Sequence, residues 1–80
     1  MILRPIATEK AVMMIEKDNV LTFSTEMQAT KETIKKEIEE MFDVKVDKMR
    51  TLLRNNKKYI YAKLNKSNPA IDVATKIGLI

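Results

Sequence analysis

Val44-Lys45-Val46-Asp47-Lys48-Met49-Arg50-Thr51-Leu52-Leu53-Arg54-Asn55-Asn56-Lys57-Lys58-Tyr59-Ile60-Tyr61-Ala62-Lys63-Leu64 reads as two strands folded back on each other. In Tyr59 to Leu64, Ile60, Ala62 and Leu64 alternate with Tyr59, Tyr61 and Lys63, the period of two of a strand with one face on a core. Val44-Lys45-Val46 starts the partner strand; its alternation slips near Asp47-Lys48 and resumes at Met49, Thr51 and Leu53, which a bulge explains. Between the two runs lies Asn55-Asn56, and asparagine tolerates the positive φ that tight hairpin turns require. An antiparallel hairpin follows.

Downstream, Asn68 and Pro69 supply an N-cap and a first-turn proline for a short C-terminal helix. Ile71, Val73, Ala74 and Ile77 are its apolar residues, and Gly78 its left-handed stop. Upstream, Thr30 caps a helix in which Ile34, Ile38, Met41 and Phe42 form one apolar stripe, closed by Asp43. Its other face carries the i,i+4 pairs Glu32 with Lys36, Lys35 with Glu39 and Lys36 with Glu40. The stripe covers the helix's own sheet. Val20 to Met27 alternates Leu21, Phe23, Thr25 and Met27 against Thr22, Ser24 and Glu26, a half-buried strand. Before it, Thr8 caps a first helix with Ala11, Val12 and Ile15 at helical spacing, Glu9 near its positive end and Asp18-Asn19 as its closing turn. Met13-Met14 reads as helix packing, since at least one of the two must face inward. Met1 to Ile6 is an extended lead. The pattern is one α+β domain with three helices and three clear strands.

Eighty residues suit one small domain with little stability to spare. No run approaches the ~18–20 uninterrupted apolar residues of a membrane span. With Arg4 and Pro5 so early there is no signal-peptide core, so a cytoplasmic address without membrane insertion is expected. The chain has no cysteine and no histidine, which removes disulfides, thiolate zinc sites, the commonest metal ligand and the commonest general base. Its acids lie along a charged helix, and the single glycine, Gly78, leaves no phosphate-cradling loop. The expectation is a protein that is not an enzyme and needs neither metal nor cofactor.

The net charge of +4 is unevenly distributed. Residues 1–43 carry six Lys or Arg against nine Asp or Glu, a net of −3; residues 44–80 carry nine against two, a net of +7. Such asymmetry predicts one basic face for a polyanion. Seven of the late cations, Lys45, Lys48, Arg50, Arg54, Lys57, Lys58 and Lys63, fall within nineteen residues and are interleaved with Tyr59 and Tyr61. Cations neutralise phosphates and tyrosine rings stack on unpaired bases, so the hairpin is the expected nucleic-acid surface. The bland alternative is a solvated hairpin whose lysines guard an edge strand against aggregation. A competing class is a module that recruits a protein partner through the first helix.

Three stretches together point to a family: Leu3-Arg4-Pro5-Ile6-Ala7-Thr8-Glu9-Lys10-Ala11, the segment Ala29 to Val46 with Met41-Phe42-Asp43-Val44-Lys45-Val46, and Lys58 to Leu64 followed by Ile77-Gly78-Leu79-Ile80. The chain resembles, over essentially its whole length, the large-subunit ribosomal protein twenty-three family in its archaeal form. The resemblance implies an antiparallel four-stranded sheet with helices on both faces, the lead before Pro5 supplying a fourth, edge strand. It also implies direct binding to large-subunit rRNA near the mouth of the polypeptide exit tunnel, beside a neighbouring small ribosomal protein. There the family forms a docking platform for signal recognition particle and the translocation channel. The candidate RNA-binding residues are then Arg4, Thr8, Lys10, Lys45, Lys48, Arg50, Thr51, Arg54, Lys57, Lys58, Tyr59, Tyr61 and Lys63. Glu9, in the Thr-Glu-Lys motif, is either a factor-docking residue or simply a helix-start acid. Two departures stand out. Where many relatives have a long Gly-rich basic loop, this chain has only Arg54-Asn55-Asn56-Lys57-Lys58, which puts a tunnel-probing role in doubt; and the family's Asn-Thr in the third strand reads Arg50-Thr51.

Overall fold

In a computed structural model, which describes residues 3–78, the chain runs β1 (Arg4–Pro5), α1 (Glu9–Asp18), β2 (Val20–Glu26), α2 (Lys31–Phe42), β3 (Val46–Arg54), β4 (Lys57–Leu64) and α3 (Ala70–Lys76). Met1 and Ile2 of the expected lead, and Leu79 and Ile80 of the terminal motif, lie outside the described residues. The four strands form one antiparallel sheet in the order β1-β2-β4-β3. β1 is the edge strand that the resemblance implied; it pairs Arg4 with Ser24 and Pro5 with Phe23. Proline is tolerated there because an edge strand has one side free of ladder bonds.

Local chemistry sets the ends of these elements. Thr8 and Thr30 are N-caps whose Oγ1 atoms accept from the amides of Ala11 (3.2 Å) and Thr33 (3.3 Å). Asn19 and Asp43 close α1 and α2 in the left-handed conformation, and Gly78 beyond α3 has φ 80°. The hairpin turns on Asn55 and Asn56, with φ 51° and 61°, the paired positive values of a two-residue turn matched to the strand twist.

The core lies between one sheet face and α2, with α3 and Ile15 of α1 closing its end. Leu21, Phe23, Ile60, Ala62, Leu64 and Val46 from the sheet meet Ile34 and Ile38 from α2, and Ala70, Val73 and Ala74 from α3. Phe42 stacks on Phe23 with ring centroids 5.7 Å apart. The expected bulge falls between Val46 and Lys48. It has a large effect on the hairpin. Val46 pairs with Leu64 and is buried, whereas Lys48 pairs with Lys63; the extra residue, Asp47, turns Lys48, Arg50, Leu52 and Arg54 onto the face opposite Val46. Strict alternation from Val46 would have aimed those cations into the core.

Several expectations need correction. Met41 is half exposed and takes no part in the α2 stripe, which is Ile34, Ile38 and Phe42 at four-residue steps. β2 ends at Glu26, so Met27 lies in a turn and is exposed. Thr22, expected on a solvated face, is buried, because α1 lies over that side of β2 and both faces of Val20 to Phe23 are covered. Ile71 of α3 is exposed. Asn68 is not the N-cap of α3: that position is Pro69, without a side-chain bond, and Asn68 Oδ1 instead accepts from the Lys45 amide at 2.9 Å. The capping bond comes from Asn19, whose Oδ1 accepts from the Ala70 amide at 2.6 Å. The expected Lys35–Glu39 pairing gives way to a different use of Glu39, whose Oε2 accepts from the Val46 amide at 2.9 Å at the entry to β3.

Candidate nucleic-acid interface

Residues opposite each other in a ladder share a face, so the register assigns each hairpin side chain. The rows Lys48–Lys63–Val20, Arg50–Tyr61–Thr22, Leu52–Tyr59–Ser24 and Arg54–Lys57–Glu26 all belong to the face away from α2. Five cations and two tyrosines of the hairpin are therefore gathered on one side. Arg4, opposite Ser24, continues the same face across β2. The cations are exposed and the two tyrosines half-buried.

α1 overhangs the β2 side of this face and leaves a cleft against the hairpin. Lys10 and Met14 of α1 and Tyr61 of β4 line both compartments of it. The smaller, about 200 Å³, adds Thr22, Tyr59 and Arg54; the larger, about 530 Å³, adds Lys48, Arg50 and Lys63. Thr8 borders the smaller compartment, with its hydroxyl engaged in capping α1. Glu9 is exposed in the first turn of α1.

Three of the residues read as RNA-binding are not brought to this face. Thr51, opposite Ile60, and Lys58, opposite Leu53, lie on rows that belong to the α2 side of the sheet; Thr51 still borders the larger compartment between Arg50 and Leu52, and Lys58 reaches the Ala29 carbonyl with its Nζ at 2.5 Å. Lys45 lies in the segment before β3, outside the sheet. Their closeness in sequence concealed this, because neighbours along a strand point to opposite sides. Conversely, Lys17 and Lys66 were overlooked; they border the end of the face with Lys48 and Lys63. Lys66 lay in the basic half of the chain, but nothing local distinguished Lys17. Among the described residues no group of acids, histidines or cysteines is placed to hold a metal, and no helix is long and apolar enough to cross a membrane.

Fold and face together define a class: a small α+β protein with a four-stranded antiparallel sheet, one face of which is rich in cations. A family model described as Ribosomal protein L23 matches residues 1–75, and the chain belongs to that family. It is a structural constituent of the large ribosomal subunit, not an enzyme, and its place is the cytoplasmic ribosome.

Proposed function

We propose that this chain binds large-subunit rRNA directly through the sheet face turned away from α2, with Lys48, Arg50, Arg54, Lys57 and Lys63 on phosphates and Arg4 and Lys10 at the margin. One observation carries the reading: the bulge at Asp47 and the two-residue turn at Asn55-Asn56 bring cations from both hairpin strands into register on one side. Side chains that merely guarded an edge would need to populate β3 alone, yet Lys57 and Lys63 come from the interior strand β4. α2, with its mixed charges, then faces away from the RNA. Placement near the polypeptide exit tunnel, a neighbouring small ribosomal protein, and docking of signal recognition particle or a translocation channel at Glu9 remain part of the proposal, supported by the motifs around Thr8-Glu9-Lys10 and by the family. The two-residue turn leaves no extension to reach along a tunnel wall.

The test is charge reversal. Arg50→Glu with Lys63→Glu should abolish measurable binding of large-subunit rRNA in a filter assay at moderate salt, while Lys35→Glu with Lys36→Glu on α2 should not. Equal loss from both pairs would mean that charge alone, and no particular face, governs binding.

A further inference from the structure

We propose that the smaller compartment between α1 and the hairpin is a receptor for a single unstacked nucleobase, so that the protein recognises an extruded nucleotide in its rRNA as well as a run of phosphates. The inference rests on the RNA-binding reading above and deepens it. A volume of about 200 Å³ lies below the ~300–1,000 Å³ of a drug-sized site. It suits one flat heterocycle and not a base pair.

Its lining has the chemistry of such a receptor. Tyr59 and Tyr61 stand two residues apart on β4, on the same face, and both line the compartment. Alternate side chains on a strand are roughly 7 Å apart and stand nearly perpendicular to the sheet. That gap is about twice the ~3.4 Å spacing of stacked bases, so one ring fits between two tyrosines. Thr22 lies at the back. It is 5% exposed, and its Oγ1 has no hydrogen-bond partner. A buried hydroxyl without a partner opposes folding; less than 1 Å² of this oxygen is exposed, so the polar edge of an entering base supplies the missing bond only as the Thr22 side chain turns toward the compartment. Lys10 from α1 and Arg54 from β3 flank the compartment, placed for the phosphates on either side of the extruded nucleotide. A duplex keeps its bases stacked and offers nothing to this cleft; a bulge or loop does.

The full chain bound to a large-subunit rRNA transcript tests the receptor. Ultraviolet irradiation should cross-link a nucleotide to Tyr59 or Tyr61, identified by mass spectrometry. Tyr59→Leu should weaken rRNA binding about 5- to 100-fold, the range of one base–aromatic stack. Thr22→Val, equal in shape, should weaken binding several-fold without lowering the melting temperature, and Thr22→Ser should restore it. If Thr22→Val and Tyr59→Leu bind like the parent and cross-links avoid both tyrosines, while Arg50→Glu with Lys63→Glu still destroys binding, the receptor is overturned and the cationic face stands. If the charge reversals are also without effect, both fall.

Discussion

Asn19 shows how much one side chain can hold. Its Nδ2 donates to the carbonyls of Leu64 (3.1 Å), Asn65 (3.2 Å) and Asn68 (3.3 Å), while its Oδ1 accepts from the Ala70 amide. Its carbonyl also receives the Leu64 amide at 3.0 Å. With φ 57° it closes α1 in a conformation that asparagine tolerates and alanine does not. One residue thus ends α1, starts β2, fixes the exit from β4 and caps α3. Asn19→Ala should cost about 2–4 kcal/mol through lost hydrogen bonds and left-handed strain. In a domain this small that lowers the melting temperature by roughly 10–25 °C. Asn19→Gly should fall between alanine and the parent, since glycine relieves the strain but not the bonds; a thermal melt equal to that of Asn19→Ala would remove strain from the account.

At the scale of elements, β3 depends on a single inserted residue. Asp47 accepts from Asn65 Nδ2 at 3.0 Å, which ties the bulge to the chain leaving β4. Because side-chain direction has a period of two, deleting Asp47 forces a choice between burying Val46 and keeping Lys48, Arg50 and Arg54 in solvent. Losing Val46 from the core costs about 1.5–3 kcal/mol, less than burying three unpaired cations. The deletion should therefore destabilise by that amount while preserving rRNA binding, measurable by denaturant unfolding and a binding assay. The hairpin turn offers the opposite sign. Asn56→Gly should stabilise or leave unchanged, because glycine takes φ 61° freely, whereas Asn55→Val should open the turn at a cost of roughly 1–2 kcal/mol.

For the whole molecule the decisive property is where charge sits, since the excess in residues 44–80 becomes a face only through the sheet register. Counterion release then gives a quantitative expectation. Each replacement of Lys48, Arg50, Arg54, Lys57 or Lys63 by alanine should reduce the slope of log affinity against log salt by about 1, with similar loss on any RNA sequence. Lys35→Ala and Lys36→Ala, on the solvated side of α2, should leave that slope unaltered. A titration of rRNA binding from low to moderate salt reads it directly. Equal slopes for sheet and helix replacements would argue for diffuse attraction by the net charge of the chain.

Hairpin, caps and apolar stripes were legible from the residues because each depends on chemistry within a few positions: Thr8 and Thr30 bond to amides three residues on, and Ile34, Ile38, Ile60, Ala62 and Leu64 announce their faces by spacing. The basic segment around Tyr59 and Tyr61 was equally plain. Which of its side chains look the same way was not. Separating Lys58 and Thr51 from Lys57 and Arg50 depends on strand parity after a bulge, and the partner of Asn19 lies 51 residues away at Ala70. Burial of Thr22 depends on where α1 comes to rest. The sequence alone determined the elements and the amount of charge; only packing decided their facing, because direction is set by contacts between segments that no local pattern records.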